Sequence, residues 1–420
     1  DSRDATSGCL FWAIRGEKHY GGKFAFSAVE KGAAAVVLEK QDKNINVPVI
    51  LVKNGLSSLQ RFASYYRDKF SVKVIGITGS NGKTTTKEML YSILSRKFKV
   101  LATRGNLNNH IGLPLTLLGL EKKHKYCVLE MGANHSGEIK MLCKIAKPHC
   151  GIITNIGSAH IGEFGSMKNI LKAKTELFDS LSARGIAVIN NDDPYIKPVS
   201  EKISCRKISF STTGNADVRC SDILSRERAT SFTMFNRGKK MMIQIPVPGI
   251  FNVSNALSAS AAAIALNDGI SRDDIVLGLR KFAPPKKRME VFRTKSGAII
   301  IDDAYNANPV SMRNAIENYS KIFYNRRKIL VIGDMLELGR FGLAEHKRLG
   351  RFIREGKHAD LLYTTGKLSE YTAIEGAGMH FKSKEELAKE LVRVVDKGDA
   401  VFFKASRMIS LEDIIAILRK

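Results

Sequence analysis

VIGITGSNGKTTT, residues 74–86, decides how the rest of this sequence is read. The apolar run from Val74 to Ile77 predicts a buried strand. Gly79, Ser80, Asn81, Gly82, Lys83, Thr84 and Thr85 make a glycine-punctuated loop that runs into KEMLYSIL. There Met89, Leu90, Ile93 and Leu94 share one helical face. A strand, a glycine-rich loop and a helix N-terminus together form an anion cradle. Backbone N–H groups converge on it, and the helix dipole adds roughly half a positive charge. Lys83 is expected to reach the β- and γ-phosphates of a nucleotide, and the Thr84 hydroxyl to sit on Mg²⁺. The longer phosphate-loop pattern has a glycine where Ile77 stands, so the match is to a shorter TGSNGKT form. A plain strand–turn–helix corner would use the glycines but has no need of Gly-Lys-Thr at the helix start.

A chain of 420 residues exceeds one ordinary core, so two or three domains are expected. A hydrophobic share of 44% and a charged share of 26% suit a soluble globular protein, and no apolar run reaches bilayer length. The start, DSRDATSG, lacks both the pattern of a signal peptide and an initiator Met, so a few preceding residues are expected. Cys9, Cys127, Cys143, Cys150, Cys205 and Cys220 show no zinc spacing, and several lie in apolar runs; a reduced, cytoplasmic setting fits. Lys and Arg outnumber Asp and Glu by 67 to 41, a net charge of +26. That balance suits nucleic acid, a membrane surface or small anions. The basic residues are dispersed, which favours a solvated surface with one anion site.

Residues 1–72 read as a small α/β unit, with strands over 8–16, 33–40 and 47–53, an exposed glycine-rich loop at 16–24 and an amphipathic helix over 55–70. Residues 73–286 read as the central unit, in which strands (125–133, 150–160, 185–190) alternate with helices (137–147, 167–181). Such alternation predicts a parallel sheet covered on both faces. A β-rich patch follows over 208–247, then a small-residue helix over 252–266. The Pro-rich, basic segment FAPPKKRME (282–290) reads as a linker. Beyond it, residues 287–420 repeat the α/β alternation, with strands at 298–306, 328–334, 359–366 and 399–406.

Ligands of open α/β sheets gather at the carboxyl ends of strands. Glu130, His160, Asp302 and Asp303 are read at such ends, and Lys174 lies in the helix after His160. Each has a plainer reading: a helix cap, a loop histidine, or a surface lysine paired with Glu130. With a phosphate loop they form a candidate Mg-nucleotide site, since Mg²⁺ on phosphates needs only one or two protein oxygens.

Ten runs in order carry a resemblance: DSR, GCLFWAIRGE, TGSNGKTTTKEM, GNLNNHIGLPLTLL (105–118), EMGANHSGEI (130–139), KAKTELF, GIFNVSNALSA (249–259), DDAYNANP (302–309), VIGDMLELG (331–339) and FKASR (403–407). The sequence resembles the Mur ligases of bacterial cell-wall synthesis, over nearly its whole length. The resemblance implies a three-domain α/β fold: a central P-loop parallel-sheet ATPase domain, a small N-terminal domain for the UDP end of a substrate, and a C-terminal Rossmann-like domain for an incoming dipeptide. It implies a cytoplasmic, monomeric ATP-dependent amide ligase with two Mg²⁺ ions, acting on UDP-N-acetylmuramoyl-tripeptide and D-alanyl-D-alanine and not on nucleic acid. The residues so implied are Gly79 to Thr85 for ATP phosphates, Thr84, Glu130 and His160 for Mg²⁺, and Lys174 as a carbamate-bearing lysine. Asn255 falls where the family contacts adenine, Arg288 and Asp303 where it contacts phosphate and ribose. Ser2 and Arg3 fall at the UDP end. Asn106, Asn108 and Asn109 would face the muramoyl-peptide, and Tyr305, Asn306, Lys404, Ser406 and Arg407 lie in further matching substrate-side runs. Lys83, Lys174, His160 and Arg288 are the expected catalytic set.

Three positions depart from the family pattern. Phe251–Asn252 replaces an HN pair, KASR replaces KGSR at 404–407, and YGGKF stands for a DGH-F loop. Two rival functions remain at this stage. One is a sister ligase, either an amino-acid-adding Mur ligase or a folylpolyglutamate synthase. The other is a basic P-loop ATPase that binds nucleic acid.

Overall fold

The computed structural model describes residues 2–16 and 19–419; Asp1, Glu17, Lys18 and Lys420 lie outside the described residues, and with them part of the 16–24 loop. The fold is α/β, organised on three sheets. Val74 to Thr78 is buried throughout, as expected for a strand covered on both faces. The strand Lys73–Thr78 lies inside a nine-stranded sheet, parallel to His124–Glu130 on one side and Cys150–Ile153 on the other. Beyond the first neighbour lies Lys99–Ala102. Beyond the second come Ile186–Asn190, Arg206–Ser211 and Val218–Ser225, then Thr230–Asn236 and Lys239–Ile245, which pair antiparallel. The chain therefore builds to one side of Lys73–Thr78 and then to the other. The crevice beyond that strand's carboxyl end is the switch point at which ligands bind.

Two helices cover one face over the phosphate loop. Lys83–Leu94 packs its Met89, Leu90, Ile93 and Leu94 into the same core as Val253, Ala256 and Ala259 of Phe251–Leu266. The Ala- and Ser-rich face of the second helix lets the two approach closely. The other face of the sheet carries Leu113, Leu142, Ile170 and Leu177 from three helices.

The N-terminal sheet is short: Leu10–Trp12, Ala35–Leu38 and Val49–Leu51, all parallel. The strand expected over 8–16 shrinks because the chain folds back at once, with Gly21 N–H bonding to the Ile14 carbonyl and Arg15 bridging to Tyr20. The helix Gly55–Asp68 was expected with this unit, yet much of its packing is on the central one. Ala63 joins the core of Val72 and Leu142, the Tyr66 hydroxyl donates to Leu120 O at 3.1 Å, and Arg67 donates to Ala146 O at 3.1 Å. Trp12 ties the helix back to the N-terminal sheet by donating to Gly55 O and stacking on Phe62.

Past the linker, Glu290–Arg293 pairs antiparallel with Ile299–Asp302, and Ala400–Lys404, Lys328–Gly333, Leu361–Thr365 and Met379–Phe381 continue in parallel. Ala405 is packed and buried there. A side chain on Gly333 would meet its methyl at 2.7 Å, so the extra carbon of KASR fills a space that a glycine opposite leaves open.

Candidate active site

The phosphate loop is shaped by its floor. Gly79 and Gly82 have φ of 142° and 81°, and a Cβ on either would lie 1.9 Å from Thr154 Oγ1 or 2.2 Å from Asn255 Oδ1. No other residue fits. Asn81 N–H donates to Asn155 Oδ1, while its carbonyl accepts from Thr154 Oγ1 at 2.6 Å and Asn155 Nδ2 at 3.1 Å. Ser80 Oγ donates to Gly157 O and accepts from Gly157 N–H. These bonds explain one correction. The strand expected to run to His160 stops at Ile153, because Thr154 to Gly157 leave the sheet to brace the loop. His160 therefore ends no strand. It has φ of 57° and opens the short helix Ile161–Phe164.

Lys83 folds back, its Nζ donating to Gly79 O at 2.7 Å. Burial pushes its pKa down; Arg288 adds to this, while Glu130 and Glu337 oppose it. Thr84 Oγ1 donates to Glu130 Oε2 at 2.8 Å and accepts from Arg288 at 3.0 Å. Glu130 also accepts from Asn108 Nδ2 at 2.9 Å; among the described residues it caps no helix and pairs with no lysine. Arg288 stacks over the Tyr305 ring at 4.0 Å. These groups border a cavity of about 710 Å³ shared by the central and third units.

The structure brings Ser80 to Thr85, Asn106, Asn108, Asn109, Glu130, His160, Asn255, Arg288, Asp303, Tyr305, Asn306 and Lys404 to that cavity. Their tasks differ. The Asn255 amide already bonds to Asn252 and Thr86, and Asn109 Oδ1 accepts from Gly112 N–H as a helix brace. Asp303 is paired with Lys404 and accepts from Met289 N–H. Seven expected residues do not line the cavity. Gly79 lies beneath the loop. Ser2 and Arg3 belong to the N-terminal unit, which contributes nothing to this wall. Ser406 Oγ accepts from Leu336 N–H, and Arg407 pairs with Glu412 at 3.1 Å. Lys174 is buried with its Nζ 5.6 Å from the Phe164 ring centre and forms no ion pair among the described residues. Asp302 also misses the cavity; burial pushes it up to about 6.

Among the described residues no three His, Cys, Asp or Glu side chains converge as a metal site. The donors still suit Mg²⁺ on a nucleotide, which keeps its phosphate oxygens and waters. His160 Nδ1 is buried beside the Glu337 carboxylate, 3.0 Å from its Oε2, without a well-directed hydrogen bond, so a ligand can compete for it. Three other residues passed unnoticed in the sequence. Thr154 and Asn155 were findable as polar residues at a strand's carboxyl end. Asn308, just before Pro309, had the signature of a helix start.

Three family descriptions match: "Mur ligase family, catalytic domain" at residues 1–67, "Mur ligase middle domain" at 77–263, and "Mur ligase, glutamate ligase domain" at 287–407. The chain belongs to the Mur ligase family. A UDP-N-acetylmuramoyl-tripeptide–D-alanyl-D-alanine ligase of Bacillus subtilis is 38% identical to this Mur ligase, over 99% of this chain and 91% of that one. The Escherichia coli enzyme of the same name is 33% identical, over 100% and 93%. MurF from Acinetobacter baumannii superposes with a TM-score of 0.93 at 36% identity, covering 100% of this chain and 92% of that one. MurF ligase from Thermotoga maritima, solved in complex with ADP, gives 0.89 at 30%, covering 100% and 96%. No helix among the described residues of this Mur ligase is long and apolar enough to cross a membrane.

Proposed function

We propose that this chain joins D-alanyl-D-alanine to UDP-N-acetylmuramoyl-tripeptide, converting ATP to ADP and phosphate in peptidoglycan precursor synthesis. The observation that carries this reading is the shared cavity, with the phosphate loop on one wall, the third unit on the other, and Arg288 reaching across to Thr84. A carboxylate has no leaving group and does not acylate an amine at neutral pH. In the proposed reaction an oxygen of the tripeptide's terminal carboxylate bonds to the γ-phosphorus, the bond to the β–γ bridging oxygen breaks, and ADP leaves. The dipeptide's neutral amine then attacks the acyl carbon of the resulting acyl phosphate. The carbon–oxygen bond to phosphate breaks, the nitrogen gives up one proton, and the amide forms. The protein's part is positioning and charge neutralisation. Lys83, Arg288 and the loop N–H groups hold the phosphates while an anion approaches them.

Thr84, Glu130 and His160 are the residues we assign to Mg²⁺, of which two ions are expected. When bound, the metal neutralises charge on the phosphates. Lys174 is assigned as a carbamate. Burial first, then repulsion by Lys83, pushes its pKa down to about 7, so a neutral amine able to add CO₂ is present at ordinary pH. The amine nitrogen bonds to the CO₂ carbon and loses a proton, turning a cation into an anion. We assign residues 1–72 to the UDP end, with the helix Gly55–Asp68 as the joint. Residues 73–286 are assigned to ATP and 287–420 to the dipeptide. Asn255 and Asp303 are placed towards adenine and ribose; Ser2, Arg3, Asn106, Asn108 and Asn109 towards the UDP-muramoyl-peptide; Tyr305, Asn306, Lys404, Ser406 and Arg407 towards the substrate side of the third unit. The chain acts, in this reading, as a cytoplasmic monomer without nucleic acid; its six free cysteines suit a reducing compartment. A phosphate-release assay with UDP-muramoyl-tripeptide decides it. Release should depend on D-alanyl-D-alanine. Release that requires a single amino acid, or glutamate with a folate, overturns the reading.

A further inference from the structure

Six carboxylates line the cavity, and five of them are satisfied by hydrogen-bond donors of the described chain. Glu130 accepts from Thr84 and Asn108, and Asp303 from Lys404 and Met289 N–H. Glu138 accepts two backbone N–H groups, Asp192 the hydroxyls of Thr212 and Thr213, and Asp193 three backbone N–H groups. Glu337 is the exception. Its Oε2 lies 3.0 Å from His160 Nδ1, an ion pair when that ring is protonated, and His160, then Lys83, hold its carboxyl below the usual carboxylate range. Its side chain is 45% exposed, so a ligand can reach it.

The residue is also held in place at a conformational cost. Glu337 has φ of 65°, unusual for a side chain of its size. Its loop is clamped on every side. Met335 N–H donates to His346, Leu336 N–H to Ser406 Oγ, Met335 and Leu338 are buried, and Glu337 O accepts from Gly162 N–H across the domain junction. A rigid, strained carboxylate facing the phosphate loop from the third unit repels every phosphate and carboxylate the cavity is proposed to hold. Anionic and open to solvent, it can take a cation that arrives with a ligand.

We infer that Glu337 is the receptor for the primary ammonium group of the incoming amine substrate, fixing that nitrogen on the third-domain wall beside the acyl phosphate, where it gives one proton to water before attacking as the neutral amine. The inference rests on the ligase reading above. Of the three substrates in that reading, the dipeptide is the one whose nitrogen must reach the acyl carbon, so its amino group is the cation that has to be held at this wall. The competing cation is Mg²⁺. The openness of Glu337 to solvent and its place on the third-unit wall, opposite the phosphate loop, favour the ammonium.

The test uses the whole enzyme and two acceptors. Hydroxylamine is mostly uncharged near neutrality and traps an acyl phosphate as a hydroxamate without needing an ammonium site. Glu337→Gln should raise the KM for D-alanyl-D-alanine by roughly tenfold to a hundredfold, the range for a hydrogen bond to a charged group. Hydroxamate formation, the KM for ATP and the Mg²⁺ requirement should stay near wild type. Glu337→Asp should recover part of the loss. An unchanged KM for the dipeptide overturns the inference, as does an equal loss of hydroxamate formation. A raised Mg²⁺ requirement with unchanged dipeptide KM also overturns it and makes Glu337 a metal ligand. If the wild-type enzyme makes no hydroxamate at all with ATP and the UDP-tripeptide, the ligase reading itself fails.

Discussion

The two walls of the cavity are built differently. The central wall is one continuous piece. Its loop is braced from below by Thr154, Asn155 and Gly157, and its helix is packed on the small-residue helix Phe251–Leu266. The third-domain wall is rigid in itself but meets the first through individual contacts. Arg288 touches Thr84, Asn308 touches Asn81, Glu337 O takes Gly162 N–H, and Asn318 takes Ile250 N–H. In the proposed reaction, bonds within a wall would set where phosphates sit, and bonds between walls would set whether the second substrate meets them. Damage to the first wall should therefore stop chemistry outright, and damage to the second should weaken closure by degrees.

The largest effect is expected at Lys83. Lys83→Ala should lower turnover on the order of a thousandfold or more, since it removes a cation from the phosphates at the reacting centre. Circular dichroism should stay native, because the side chain contributes only two loop hydrogen bonds. Near-normal turnover in a folded variant would remove the loop from the mechanism. Next comes Lys174→Ala, expected to cost at least about a hundredfold, the upper range for losing support around a metal. A short carboxylic acid in the buffer should restore part of the rate by supplying the lost oxygens. Near-normal activity in the variant ends the carbamate assignment.

The junction comes third. Arg288→Ala should lower kcat by about tenfold to a hundredfold, the worth of a charged hydrogen bond on Thr84. Small-angle scattering should then show a more open particle under saturating ligands than wild type. Identical scattering would place Arg288 in chemistry alone. A fourth effect is on stability. Lys174 is pushed down to about 7 from an ordinary 10.5. Below the lower value both folded and unfolded chains carry the proton; between the two values only the unfolded chain does. In CO₂-free buffer stability should therefore rise with pH across that window, by at most about 1.4 kcal/mol per pH unit. Denaturant midpoints measure it, and Lys174→Met should flatten the slope. A slope that persists in Lys174→Met belongs to other groups.

This difference between the walls is also why one was easier to read in the sequence. TGSNGKT is local: the strand, the turn and the helix dipole lie within a dozen residues, and spacing alone displays them. Glu130 was legible for the same reason, as the last residue of an apolar strand. His160 was not. Periodicity cannot tell that Thr154 and Asn155 abandon the sheet to hold a loop more than 70 residues earlier. Ser406 and Arg407 lie in a matching run, yet their side chains turn to Leu336 and Glu412. A run of sequence fixes which residues are near a site; direction comes from tertiary contacts. The helix Gly55–Asp68 makes the same point for packing. Its amphipathic pattern was plain, but not which core would take its apolar stripe.

The smallest effect is expected at Asn308, and it separates the two kinds of bond within one side chain. Asn308 Oδ1 accepts from Ser311 N–H at 3.0 Å and caps the helix Pro309–Ile322; its Nδ2 donates to Asn81 Oδ1 at 2.7 Å across the junction. Serine is an equally good cap but too short to reach Asn81. Asn308→Ser should leave the denaturant midpoint of the third domain near wild type, while Asn308→Ala should lose about 1 kcal/mol through the missing cap. Both variants lose the bond to the phosphate loop, so both should open the particle slightly in ligand-bound scattering. Both should also raise the KM for ATP by a similar factor, within about tenfold for a neutral hydrogen bond. If Ser and Ala differ in the KM for ATP as they differ in stability, the junction bond contributes nothing and the cap alone accounts for Asn308. If they differ in stability but agree in closure, the contact between Asn81 and Asn308 is a link by which an occupied phosphate loop draws the third domain in.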